Sequence, residues 1–230
     1  MARSFSTSKT YVGGFIGDTD ASFAVLIGQD YNRLYEDIWQ RIDWSEAIDN
    51  DNTFESVVGT AEYALPSSFE KEIFLTNIAT GKPIKPSKIG EWWRDESDKY
   101  SADSIDNGTV DKYVILEESG MIQLDPPPDT AETYALPYKL TFTALTADDD
   151  VPLITGIDKI IENGCLGLAY ERKQLHGKGS FYLQKYEIAL ARRIRQERAR
   201  GNYRYQMVPE KKWFGRRINR LTGDQSYDSI

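Results

Sequence analysis

A chain of 230 residues that is 40% hydrophobic can bury a real core, as one large domain or two smaller ones. Its longest apolar run, residues 23–27, falls far short of the roughly 20 residues a membrane helix needs, and the lone Cys165 excludes an internal disulfide and a cysteine zinc cluster. The net charge of −8 conceals a division: residues 186–230 carry 11 Lys/Arg against 5 Asp/Glu, or +6, leaving 17 against 31, or −14, for residues 1–185. An acidic body of this kind repels nucleic acid, whereas a basic end suits phosphates, acidic proteins or carboxylate-lined grooves. The N-terminal MARSFSTSKTYVGGF has no apolar stretch of the secretory kind, so a cytoplasmic site of synthesis is expected.

Along residues 20–42, Phe23, Ile27, Tyr31, Leu34, Ile38 and Ile42 recur at three- and four-residue spacing behind the capping candidates Asp18, Thr19 and Asp20. This predicts one long amphipathic helix. From TFESVV through AEYALP, EKEIFLTN, KIGEWWRD, DKYVILEE, MIQLDPPP and ETYALPYKLTFTAL, short β-branched and aromatic segments alternate with Gly, Pro and Asp clusters. Such a series indicates a sandwich or barrel rather than a parallel sheet. At TADDDVP, Asp150 is a candidate cap and Pro152 suits a first turn; Ile157, Ile160, Ile161, Cys165 and Leu168 then predict a second helix to about Leu175. HGKGS breaks the pattern, and Leu183, Tyr186, Leu190 and Ile194 define a third helix ending near Gly201. Gly164 and Gly167 inside the second helix each cost about 1 kcal/mol against Ala, which points to close helix contact there.

The fold class expected is therefore α+β: an antiparallel helical bundle with an inserted β-sandwich or barrel-like subdomain and an extended C-terminal arm. The divisions are residues 1–49 for the N-terminal segment and first helix, 50–147 for the β-rich insertion, 148–201 for the second and third helices, and 202–230 for the arm.

Catalytic constellations fail one by one. Cys165 and His176 stand eleven residues apart on one predicted helix, roughly 16 Å at 1.5 Å per residue, and cannot share a hydrogen bond. Cys165 reads as a core residue and His176 as a helix-end residue. Around Asp103, Asp106, Asn107, Gly108 and Asp111 a calcium-loop alignment puts Ile105 and Val114 where oxygen ligands belong, so Asn107-Gly108 reads as a hairpin turn. The Asp148-Asp149-Asp150 triplet is explained more simply by capping than by a metal ion. No phosphate loop, zinc spacing or nucleophile elbow is present. A structural protein with no cofactor, no metal and no enzymatic activity is the expectation. Adjacent Trp92 and Trp93 would face opposite sides of a strand, one into the core and one outward. The arm joins Tyr203, Arg204, Tyr205, Trp213, Phe214, Arg216, Arg217 and Arg220, residue types enriched at binding hot spots, and is expected to order on a partner.

GTAEYALPSSFEKE at residues 59–72, MIQLDPPPD at 121–129, YKLTFTALTADDDVPLI at 138–154, and IIENGCLGLAYERKQ with GSFYLQKYEIALARR carry a resemblance over residues 20–200. In order and spacing the chain resembles the head-to-tail connector, or adaptor, proteins of tailed bacteriophages, the tail tubular protein A type. The resemblance implies a virion neck protein forming a ring, typically of twelve subunits, below the portal protein, with double-stranded DNA crossing its centre. It also implies that Tyr203 to Arg220 grip the portal and that the β-subdomain, with Trp92 and Trp93, faces the next tail component, a tail tube or nozzle protein. A neck stopper or minor tail protein, and a nucleic-acid-binding protein using the third helix and arm, are the competing readings.

Overall fold

The computed structural model describes residues 3–90 and 107–205, the last five as backbone. These residues form four α-helices and ten short strands, an α+β protein in two compact units: residues 46–144 make one, and the flanking segments make the other.

The helical unit opens with a helix that the sequence pattern did not predict, α1 (Phe5–Ile16). Its apolar signal is thin, with Phe5 and Val12 the buried anchors, and Gly13 and Gly14 lower its propensity. Tertiary contacts supply what propensity lacks. The Phe5 and Ser6 amides donate to the Asp150 and Asp148 carbonyls at 2.8 and 3.1 Å, and Arg3 forks onto Glu162 at 2.9 and 3.0 Å, a carboxylate that Ser8 also reaches at 3.1 Å. Gly17 closes the helix in the left-handed region at φ 74°, where an L side chain is strained.

The amphipathic stripe becomes α2 (Ala21–Arg41), burying Phe23, Ile27, Tyr31 and Ile38; Ile42 has already left the helix in extended backbone. Asp20 occupies the N-cap position without a side-chain cap bond. The second predicted helix starts later than its cap signal. It is α3 (Asp158–Arg172), and Asp150 does not cap it: the Asp150 carboxylate accepts the amides of Thr146 and Ala147, both at 2.7 Å, while the triplet's carbonyls cap α1. A local turn thus takes the carboxylate before the helix can.

The last helix, α4 (His176–Tyr205), corrects two expectations. HGKGS does not break it. The reversal lies just upstream, where Gln174 takes φ 58°, so Cys165 and His176 stand on different helices. Gly179 packs beneath the Glu171 side chain, which would have to move to admit a Cβ. At its other end, the backbone of Tyr203, Arg204 and Tyr205 continues the helix rather than opening the extended arm. Packing on α3 uses the two interior glycines: a Cβ on Gly164 would meet Leu34 at 2.6 Å, and one on Gly167 would meet Leu183 at 2.7 Å.

The β unit comprises β1 (Ile48–Asp49), β2 (Thr53–Glu55), β3 (Glu62–Ala64), β4 (Phe69–Glu72), β5 (Leu75–Asn77), β6 (Pro83–Pro86), β7 (Lys112–Leu116), β8 (Met121–Asp125), β9 (Thr133–Ala135) and β10 (Tyr138–Leu140). A three-stranded sheet has the order β1-β10-β4, and a seven-stranded sheet has the order β2-β9-β5-β6-β7-β8-β3. All pairings are antiparallel except β6 with β7, so the larger sheet is mixed. Leu75, Tyr113, Ile122, Leu124, Tyr134 and Leu136 fill its core, with Phe54 stacked on Tyr134 at 5.5 Å. The residues leading into the expected Asn107-Gly108 turn lie outside the described residues; Gly108 itself bridges Pro128, and the β7–β8 turn falls at residues 117–120, where Gly120 supplies φ 64°.

Candidate assembly interface

The helix that carries the basic end of the chain has two chemically different sides. Its inner side is fixed by packing and by satisfied polar groups. Tyr186 and Leu190 are buried, and the Tyr186 hydroxyl donates to Asp37 at 2.9 Å. Glu197 is buried as well: its Oε1 accepts the Ser45 amide at 3.1 Å, and its Oε2 pairs with Arg193 at 2.7 Å. Burial raises the Glu197 carboxyl, but the bonds from Ser45 and Arg193 outweigh it and hold the group below its ordinary value. Arg193 also lies over the buried Trp44 ring, 5.2 Å from its centroid, and Trp44 donates its indole N–H to the Ile38 carbonyl at 2.8 Å.

The outer side is more open, with Glu187 on its edge paired to Arg41 at 3.1 Å. Phe181 is 58% exposed and Ile188 48%, and Ala191, Arg192, Arg195 and Arg198 are exposed beside them. Near the start of this side, α1, α3 and α4 contribute to one aromatic cluster. Tyr11 and Phe15 lie 6.1 Å apart, Phe15 meets Tyr182 edge-on at 6.0 Å, and Tyr182 stacks on Tyr170 at 5.6 Å. Lys178 and Lys185 sit over the Tyr170 and Tyr182 rings. Sequence reading missed this cluster because its members are scattered over 170 residues and share no local pattern. It also took from α4 only the inward stripe of Leu183, Tyr186, Leu190 and Ile194.

Of the arm residues singled out in the sequence, Tyr203, Arg204 and Tyr205 are placed as helical backbone; Trp213, Phe214, Arg216, Arg217 and Arg220 lie outside the described residues, as do Trp92 and Trp93. Cys165 is fully buried in α3, where burial and then the neighbouring Asp30 and Glu162 push its thiol up, away from nucleophilic character. His176 pairs with Glu171 at the α3–α4 reversal. Among the described residues no group of three or more His, Cys, Asp or Glu side chains is placed to hold a metal ion, and no helix is long and apolar enough to cross a membrane.

No match is found among curated proteins. The family model described as SU10 adaptor protein, however, matches residues 4–209, taking in both compact units and running just past the end of α4. The chain therefore belongs to the SU10 adaptor protein family, a family of bacteriophage structural proteins.

Proposed function

We propose that this protein forms a ring, of twelve copies by the family pattern, that joins the portal of the phage head to the tail and continues the channel through which double-stranded DNA leaves. The observation that carries this reading is the family match across nearly the whole described chain. The charge division supports it: a body with a net −14 over residues 1–185 gives a channel wall to which DNA does not adhere. In this reading Tyr203, Arg204, Tyr205, Trp213, Phe214, Arg216, Arg217 and Arg220 bind the portal, and the β unit, with Trp92 and Trp93, meets the tail tube or nozzle. The protein acts by contact and catalyses no reaction.

Electron microscopy of virions labelled on this protein tests the placement; density at the neck is expected, and label confined to the distal tail would refute the proposal in favour of a minor tail protein. Reversing Arg216 and Arg217 to Glu is expected to leave the purified protein folded and abolish its attachment to portal-bearing heads. Undiminished attachment would remove the arm from the interface. Binding of free duplex DNA that weakens steeply with salt would instead favour the nucleic-acid reading.

A further inference from the structure

The outer side of α4 combines exposed apolar residues with cations in a fixed row. At about 100° per residue, Ile188, Ala191, Arg195 and Arg198 lie roughly 140–160° round the helix from Arg193, with Arg192 at the edge of the same face, about 100° round. Arg193 is the residue that reaches inward to Glu197 and, at 3.4 Å, to the Thr155 carbonyl. The row therefore faces away from residues 145–157 of its own molecule. Those residues present the opposite chemistry. Val151 and Leu153 are 49% and 46% exposed beside Asp148 and Asp149, and of the triplet only Asp150 has its carboxylate engaged by local amides. Asp148 also pairs with Lys9. The loop is held in place by Asn32, whose side chain exchanges two hydrogen bonds with Leu145 at 2.9 and 3.0 Å, and by the Leu153 amide on the Tyr35 hydroxyl at 3.0 Å.

From this complementarity we infer that the outer face of α4 docks on the Asp148-Asp149-Val151-Leu153 loop of a second copy of the chain, with Ile188 and Ala191 against Val151 and Leu153, and Arg192 and Arg195 against the carboxylates. The chain's own C-terminal arm is disfavoured as occupant, because Lys211, Lys212, Arg216, Arg217 and Arg220 repeat the sign of the α4 row. Since the two patches point to different sides of one molecule, the contact is head-to-tail, the geometry that closes into rings when its rotation allows. The α4 strip from Phe181 to Arg198 is roughly 27 Å long and about 10 Å wide, well under the roughly 800 Å² per partner of a standard interface. A pair of copies is thus held weakly, and closure stabilises each copy through two such contacts. The inference names the subunit contact of the ring proposed above and rests on that reading for closure alone.

The test uses the full chain without portal. Cys165 is the only native cysteine and is buried, so a short bismaleimide joins only introduced thiols. A mixture of Ile188→Cys and Val151→Cys chains at high protein concentration is expected to give a covalent dimer, whereas either variant alone gives little. Arg192→Glu/Arg195→Glu in the Ile188→Cys chain is expected to lower the yield about tenfold or more by setting like charges face to face, and Asp149→Arg in the partner to restore it. No dimer from the mixture, equal dimer from Ile188→Cys alone, or failure of the compensating charge to restore the yield would each overturn the inference. The same charge-reversed chain with duplex DNA provides the remaining arm: loss of DNA binding without loss of crosslink leaves the contact standing, while loss of DNA binding in a chain that never crosslinks assigns the row to nucleic acid. Neither outcome depends on where the protein sits in the virion, so the neck proposal and the subunit contact fail separately.

Discussion

Substituting Gly167 by Ala probes the α3–α4 crossing directly. The added Cβ would lie 2.7 Å from Leu183 Cγ, 2.8 Å from its Cδ2 and 3.1 Å from its backbone nitrogen. Ordinary carbon contacts are about 3.5–4.0 Å. The leucine tip can rotate, but the backbone nitrogen belongs to α4 and moves only if the two helix axes separate. Overpacking costs about 1–3 kcal/mol, and contact with a backbone atom puts this case in the upper part of that range, about 2–3 kcal/mol; against about 1 kcal/mol gained from helix propensity, the net loss is about 1–2 kcal/mol. For a chain of this size each kcal/mol corresponds to about 2–4 °C, so the midpoint should fall by roughly 2–8 °C. Gly14→Ala is the internal control. It too sits inside a helix, yet nothing lies within 4 Å of its Cβ position, so it should gain about 1 kcal/mol and rise about 2–4 °C. Thermal unfolding followed by helical circular dichroism reads both. If Gly167→Ala matches or exceeds the parent while Gly14→Ala rises, close approach of α3 and α4 is not why a glycine stands there.

Two further substitutions test the polar framework of the helical unit. Glu197→Gln should cost about 2 kcal/mol near neutral pH, since it weakens charged hydrogen bonds to Ser45 and Arg193. The Glu197 carboxyl is lowered in the fold, so its contribution is present above the unfolded value of about 4.3 and is lost as pH falls through the folded value; parent and variant should converge in acid, measured by denaturant melts across pH. Asp30→Ala removes the buried partner of Arg172, whose side chain is 39% exposed and can turn to water, so the loss should be about 1–3 kcal/mol rather than the roughly 3–5 of a fully buried pair. Hydrogen exchange should place that loss in α2 and the end of α3.

The α+β class was legible because both periodicities are strong where they occur: Phe23, Ile27, Tyr31 and Ile38 line one side of α2, and Tyr113, Ile122, Leu124 and Tyr134 fall in short strand-forming runs. What stayed illegible depends on partners remote in the chain. Helix α1 is stabilised by Glu162 and by the carbonyls of residues 148 and 150, which no local window contains. Gly177 and Gly179 read as breakers, though Gly179 instead leaves room for Glu171. Strand β6, bounded by Pro83 and Pro86, violates strand preferences and forms by pairing with β5 and β7. The adaptor strings carried the family correctly, because order and spacing persist where no single motif is diagnostic.

Net charge treats residues 186–230 as one basic end, but α4 divides it. Arg193 is committed inward to Glu197, whereas Arg192, Arg195 and Arg198 stand in a row on a rigid helix whose far side is buried. The arginines of residues 206–230 belong to a segment that net charge cannot tell apart from that row. If charge alone governed assembly, reversing Arg192 and Arg195 would be equivalent to reversing Arg216 and Arg217. A fixed row opposite an acidic loop implies otherwise: the first pair should weaken copy-to-copy contact in the isolated protein, and the second should act only once heads are present. Electrostatic reversal at one site and not the other, read in the crosslinking and head-attachment assays, therefore separates a surface defined by geometry from one defined by sign.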